Sequence, residues 1–219
     1  MLAMNLALGW NMPTLCLSAD TSRDDITGRL AACITGDKFD WVQAARDRGD
    51  GKKYEEALAD SKIVLSFKNP ITWQGLEYHL EAYVEVYDEF PAVFIVDNLK
   101  DIDGAESEYS EQMQAMQRLT ELCRYTGSTI IVLHHATDKG WEARAQPASA
   151  PSRDQIKNGM SEQPEVTLSV GHDATTGTFN IAVLKQRNGR TDPGAQHPIR
   201  IFADLSRSHF ARWGLQFEE

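Results

Sequence analysis

Two apolar runs in this chain are closed by carboxylates. "VFIVDN" contains Asp97, and "TLCLS" is followed two residues later by Asp20. In open α/β sheets ligands bind beyond the carboxyl ends of the strands, so such carboxylates suit a hydrated divalent cation or an activated water. Asp97 is therefore the candidate metal ligand and Asp20 the candidate base, on condition that their strand ends are neighbours. Each position also suits an ordinary role, since aspartate forms turns after strands and "SADTSRDD" is rich in helix-capping residues. A third run, "STIIVLHH", ends in His134 and His135. Adjacent strand residues point to opposite faces, so one imidazole can bond a ligand at the sheet edge while the other packs. A hydrolase built on a metal held by these histidines and the carboxylates is the alternative, but no E-x-x-H or C-x-x-C spacing lies nearby to support it.

A fourth run, "FNIAVLKQRNGR", ends in Lys185 and Arg187, with Arg190 close behind, in a chain of net charge -10. Cations at the end of a buried strand are either a polar strand end or groups aimed at an anion. Between His135 and the next strand-like run lies a stretch with Pro147, Pro151 and no hydrophobic period. Residues 136–158 are long for an idle connection and read as a mobile functional loop. Lys139, Arg144, Arg153 and Lys157, with Trp141, could follow a single nucleic-acid strand by phosphate contact and base stacking. A merely solvated loop has the same composition.

The elements that must position these groups alternate. Residues 14–18, 62–67, 92–97 and 128–135 have the length and β-branched content of strands buried on both faces. Helical segments are expected over 24–35, 41–60, 73–90 and 107–125. In the third, Leu76, Leu80, Tyr83 and Tyr87 fall on one face. Strand alternating with helix predicts an α/β, mostly parallel sheet covered by helices. Beyond the loop, "EVTLSV", "TFNIAVLKQ", "PIRIFAD" and "HFARW" predict antiparallel hairpins.

With 219 residues, 42% hydrophobic and 25% charged, the chain is expected to form one globular domain over residues 1–219. Cys16, Cys33 and Cys123 are odd in number and widely spaced, as in a reducing compartment. "MLAMNLALGW" lacks the basic region and cleavage site of a signal peptide. No run approaches the roughly 20 apolar residues of a membrane span. An intracellular, cytoplasmic chain with no membrane partner is expected. Its acidity argues against coating nucleic acid through bulk charge, so any such binding needs a local site.

The order of these features resembles the ATPase domain of DnaB-type replicative helicases, within the RecA-like superfamily. It is carried by strands ending in "SAD", "IVDN" and "VLHH", a long loop, "SEQPEVTLSV", "IAVLKQRNGRTDP" and "PIRIFADLSRSHF". The most specific piece is "KQRNG" with its turn and following strand. The resemblance implies that Asp97 matches the aspartate that holds Mg2+ through water. Asp20 stands where the family usually has a catalytic glutamate, and His135 where it commonly has a glutamine sensing the γ-phosphate. Lys185 and Arg187 match a lysine and an arginine finger offered to the nucleotide of a neighbouring subunit. Residues 136–158 correspond to a loop that contacts DNA.

The family's phosphate loop, G-x-x-x-x-G-K-[ST], does not occur in these 219 residues. Gly51 and Lys52 form the one Gly-Lys pair, outside any strand-to-helix context. The opening "MLAMNLALGW" resembles the helix that follows that loop, so the first strand is expected to be missing. Either the chain is a fragment of an ordinary motor, or it is a core that keeps "KQRNG" as a surface for a partner. Mg2+ and ATP are implied for an intact relative; this chain could hold none. Expected partners are further copies in a ring, or a related helicase subunit, with single-stranded DNA. The rival expectation is a non-hydrolysing protein that modulates a helicase or recombinase.

Overall fold

Four apolar runs become parallel strands: β1 (Thr14–Ser18), β2 (Ile63–Ser66), β3 (Val93–Asp97) and β4 (Thr129–Val132). The computed structural model describes residues 1–105, 108–136, 149–173 and 175–212. The strands lie in the order β2-β1-β3-β4, all pairs parallel. From β1 the chain moves outward to β2, then returns to the other side of β1 to form β3. The strand order therefore reverses between β1 and β3, and such a switch point opens a crevice at the carboxyl ends of the two strands. Register puts Ser18 opposite Asp97 there.

The helices are α1 (Leu2–Gly9), α2 (Arg23–Thr35), α3 (Phe39–Asp47), α4 (Lys52–Ala59), α5 (Trp73–Tyr87) and α6 (Tyr109–Thr126). Local chemistry sets their ends. Ser22 caps α2 by accepting from the Asp25 N–H, and Thr72 caps α5 by accepting from the Gly75 N–H. The helix expected over 41–60 is two helices. Gly49 takes a left-handed φ of 77° between α3 and α4, a conformation that ends a helix and favours glycine.

Side chains alternate across the sheet. Cys16, Val93 and Ile95 pack on one face with Met4 of α1 and Ile26 and Leu30 of α2. Leu15, Leu17, Phe94 and Val96 are buried on the other face, and the predicted stripe of α5 is buried at Leu76, Leu80 and Tyr83. Each such large side chain contributes about 1.5 to 3 kcal/mol on burial, which holds the strand ends of the switch point in register. By the same alternation, Ser18 and Asp97 share the face of Cys16.

The chain divides into two compact units, one comprising Met1–Leu133 with Leu205–His209, the other His134–Asp204 with Phe210–Glu219. A second sheet, held in the second unit except for His209, has β5 (Val166–Asp173), β6 (Thr178–Gln186), β7 (Ile199–Asp204) and β8 (His209–Arg212) in that order. β6 is antiparallel to both β5 and β7. Ala150, Ala182, Leu184 and Ala195 form its small core. Of the expected loop 136–158, residues 137–148 lie outside the described residues. The later part carries local structure: a 3-10 turn at Arg153–Gln155 capped by Ser152, and a bridge between Ala136 and Ile156.

Candidate functional site

The first unit brings Asp20 and Asp97 to adjacent strand ends. The Ala19 N–H donates to the Asp97 carbonyl at 3.0 Å, continuing the β1–β3 pairing one step past β1. Asp20 follows directly and is exposed, while Asp97 is half-buried. Asn69 steadies the turn from the far side of β1, its Nδ2 donating to the Ala19 carbonyl at 3.1 Å. The Asp97 charge also reaches inward. Burial, with Asp97 adding to it, pushes the Cys16 thiol up to about 12. The Met1 amino group is held low by burial, and Cys16 and Asp97 draw it back up, so the start of α1 lies within electrostatic reach of Asp97.

This donor set fits Mg2+ better than a protein-caged ion. Mg2+ takes oxygen ligands and needs about one or two carboxylates, the rest coming from water and substrate phosphates. Among the described residues, no group of three or more His, Cys, Asp or Glu could hold a metal. An aspartate at the carboxyl edge of a parallel sheet therefore suits a cation that arrives with phosphates.

The second unit positions three candidates, Lys185, Arg187 and Arg153, around one short segment, Glu162 to Glu165. Lys185, near the end of β6, donates through Nζ to the carbonyls of Glu162 and Pro164, the latter at 2.9 Å. Arg187, just past β6, sets its Nε 2.7 Å from Glu165 Oε2, with both side chains about two-thirds exposed at 67% and 65%. Arg153 pairs with the Glu162 carboxylate, donates from Nε to Ser161 Oγ at 3.0 Å, and donates its backbone N–H to the Pro193 carbonyl. Arg153 thereby ties three segments together.

The histidines take different roles. His134 is half-buried and donates from Nε2 to the Lys157 carbonyl at 2.9 Å, while His135 is exposed and its carbonyl accepts from the Lys157 N–H. Burial holds the His134 imidazole below its ordinary range, the Lys157 bond opposing this in part. Its Nδ1 is buried with no partner among the described residues, so the neutral Nε2–H tautomer fits the site.

No family model matches the chain. It is 28% identical over 200 residues to the Gene 65 protein of Mycobacterium phage L5, spanning 87% of this chain and 72% of that protein. The Gene 65 protein of Mycobacterium phage D29 is 28% identical over 198 residues, 85% of this chain and 82% of that one. Among solved structures, a DnaB-like replicative helicase described with its primase interactions superposes with a TM-score of 0.76 at 12% identity over 95% of this chain. The chain spans about half, 52%, of that helicase's length. A second solved structure, of an isolated ATPase domain, gives 0.73 at 13% identity, covering 95% of this chain and 76% of that one.

The chain has a RecA-like fold. A further match of the same architecture, the RadB recombinase, has a TM-score of 0.55 at 15% identity, over 96% of this chain and 83% of that one. In this RecA-like chain Asp20 and Asp97 stand at neighbouring strand ends. Lys139, Trp141 and Arg144 lie outside the described residues. Glu165 and Glu162, the anions that Arg187 and Arg153 face, carry no signal in the sequence beyond lying within "SEQPEVTLSV". Asn69 beside β1 belongs to no chemical motif, and Ser18 at the switch point enters the sequence pattern only as the first residue of "SAD".

Proposed function

We propose that this RecA-like chain is the core of a DnaB-type helicase motor that works on single-stranded DNA inside the cell, in a ring of copies or beside a related helicase subunit. The observation that carries the reading is the junction of β1 and β3: Asp20 and Asp97 stand on neighbouring strand ends where the sheet order reverses. When bound there with ATP, Mg2+ would neutralise charge on the transferring phosphates. Asp97 would hold the cation through its water shell, and Asp20 would orient the attacking water and take its proton. Asp20 is exposed and one methylene shorter than glutamate, so it reaches less far than the family's usual residue.

His135, exposed beyond β4, would contact the terminal phosphate. Lys185 and Arg187 would act on the nucleotide of a neighbouring copy. Arg187 can leave Glu165 at little cost, because exposed ion pairs are worth about 0 to 1 kcal/mol. Lys139, Trp141, Arg144, Arg153 and Lys157 would face DNA, Arg153 only after releasing Glu162.

A second reading follows from the lack of G-x-x-x-x-G-K-[ST] in the 219 residues. Without a nest of backbone N–H groups and a lysine around the phosphates, these residues alone would modulate a helicase or recombinase instead of hydrolysing ATP. Hydrolysis assays on two proteins separate the readings. The 219-residue chain should turn over ATP at background. The same residues placed behind a phosphate-loop strand should gain turnover, and Asp97→Asn should abolish it. No gain from the added loop would favour the modulator.

A further inference from the structure

Among the described residues, the hydroxyl groups buried in the strands of the first sheet, and that of Ser128 just before β4, are satisfied with one exception. Thr14 Oγ1 donates to the Met12 carbonyl at 2.9 Å, Ser66 Oγ pairs with His79 Nε2 at 2.8 Å, and Ser128 Oγ donates to the Pro91 carbonyl at 2.6 Å. Ser18 is 1% exposed, yet its Oγ has no hydrogen-bond partner among the described residues. A buried polar group left unmade costs about 1 to 3 kcal/mol. Every residue of β1 is buried, and three of the five are leucine or cysteine, so an apolar side chain would suit this position on packing grounds. The exception falls at the carboxyl edge, opposite Asp97 and on the same face of the sheet.

We infer that the Ser18 hydroxyl is a positioning group for the ligand at Asp97, donating to an oxygen of the cation's water shell. This rests on the reading of Asp97 as the cation-holding carboxylate. In the ligand-free fold the hydroxyl is a liability, and binding supplies its missing partner. A buried donor beside the carboxylate fixes where the water shell sits, which an exposed side chain could not do without losing side-chain freedom.

Mn2+ alone is the probe, titrated into the 219-residue chain and followed by paramagnetic broadening of backbone amide signals. The parent should broaden selectively at residues 18–20 and 97–98, and Asp97→Asn should remove that selectivity. Ser18→Ala should raise the half-broadening concentration about 2- to 10-fold, the worth of one hydrogen bond, while its metal-free melting temperature stays equal or rises. Ser18→Thr keeps the hydroxyl and should titrate like the parent. A Ser18→Ala titration that superimposes on the parent overturns the inference and leaves Asp97 standing. So does a Ser18→Ala protein that melts lower or fails to fold, since the hydroxyl would then support the fold itself. Parent broadening that Asp97→Asn does not change overturns the reading of Asp97 and this inference with it.

Discussion

Arg187 Nε lies 2.7 Å from Glu165 Oε2, across the start of the β5–β6 pair. The cation that the sequence leaves without a partner thus faces a carboxylate of its own chain, on the surface. An exposed pair of this kind holds about 0 to 1 kcal/mol. Glu165 therefore parks the guanidinium without locking it.

Arg187→Ala should leave the melting temperature within about a degree or two of the parent, as expected for losing a surface pair. In an assembled protein that carries a phosphate loop, the same variant should bind nucleotide normally but hydrolyse it about 10³-fold more slowly. Thermal melts and steady-state turnover check both halves. Equal turnover in the variant would return Arg187 to a polar strand end.

For DNA, Lys139, Arg144 and Lys157 replaced together by alanine should flatten the salt dependence of single-strand binding, each contact contributing about 0.7 to the slope. Trp141→Ala should weaken binding by about 1 to 3 kcal/mol with little change in slope, because stacking is nearly insensitive to salt. Arg153→Ala behaves differently if its ties to Glu162, Ser161 and Pro193 are its main role. It should lower the melting temperature more than it changes the salt slope. Fluorescence titrations at several salt concentrations, with parallel melts, separate the three.

His134 gives a pH signature. Its folded pKa lies below the ordinary 6.5 because burial disfavours the imidazolium. As pH falls, the unfolded chain takes the proton first, so the stability contributed by neutral His134 is full above 6.5 and is lost as pH drops through the folded value. His134→Gln keeps a donor for the Lys157 carbonyl and cannot titrate. Between about pH 7.5 and 5 the parent should lose melting temperature more steeply than this variant. Parallel curves would contradict the assignment.

β1 and β3 were legible because burial on both faces leaves a continuous apolar run, ending at Ser18 and Asp97 as expected, while β6 falls on the residues its composition marks with burial alternating along it. The helix over 41–60 was not, because its polar and apolar spacing continues through "RGDG" while the left-handed backbone at Gly49 breaks it. The two strand-end carboxylates could be named from sequence, but their place on neighbouring strands depends on which strand returns to the far side of β1, a choice made by the whole sheet. Glu165 was invisible for a similar reason: the register of β5 against β6 brings it to Arg187, and no local pattern encodes it. Ser18 looks like any polar residue closing a strand until its missing partner is seen.

Whether Asp97 serves a nucleotide is read most directly from the Mg2+ dependence of binding. A fluorescent ADP analogue should bind the 219-residue chain weakly, and saturating Mg2+ should tighten it about tenfold, the worth of one charge-assisted contact. Asp97→Asn should bind the analogue as weakly with Mg2+ as without it. Equal tightening by Mg2+ in parent and variant would contradict a cation site at Asp97.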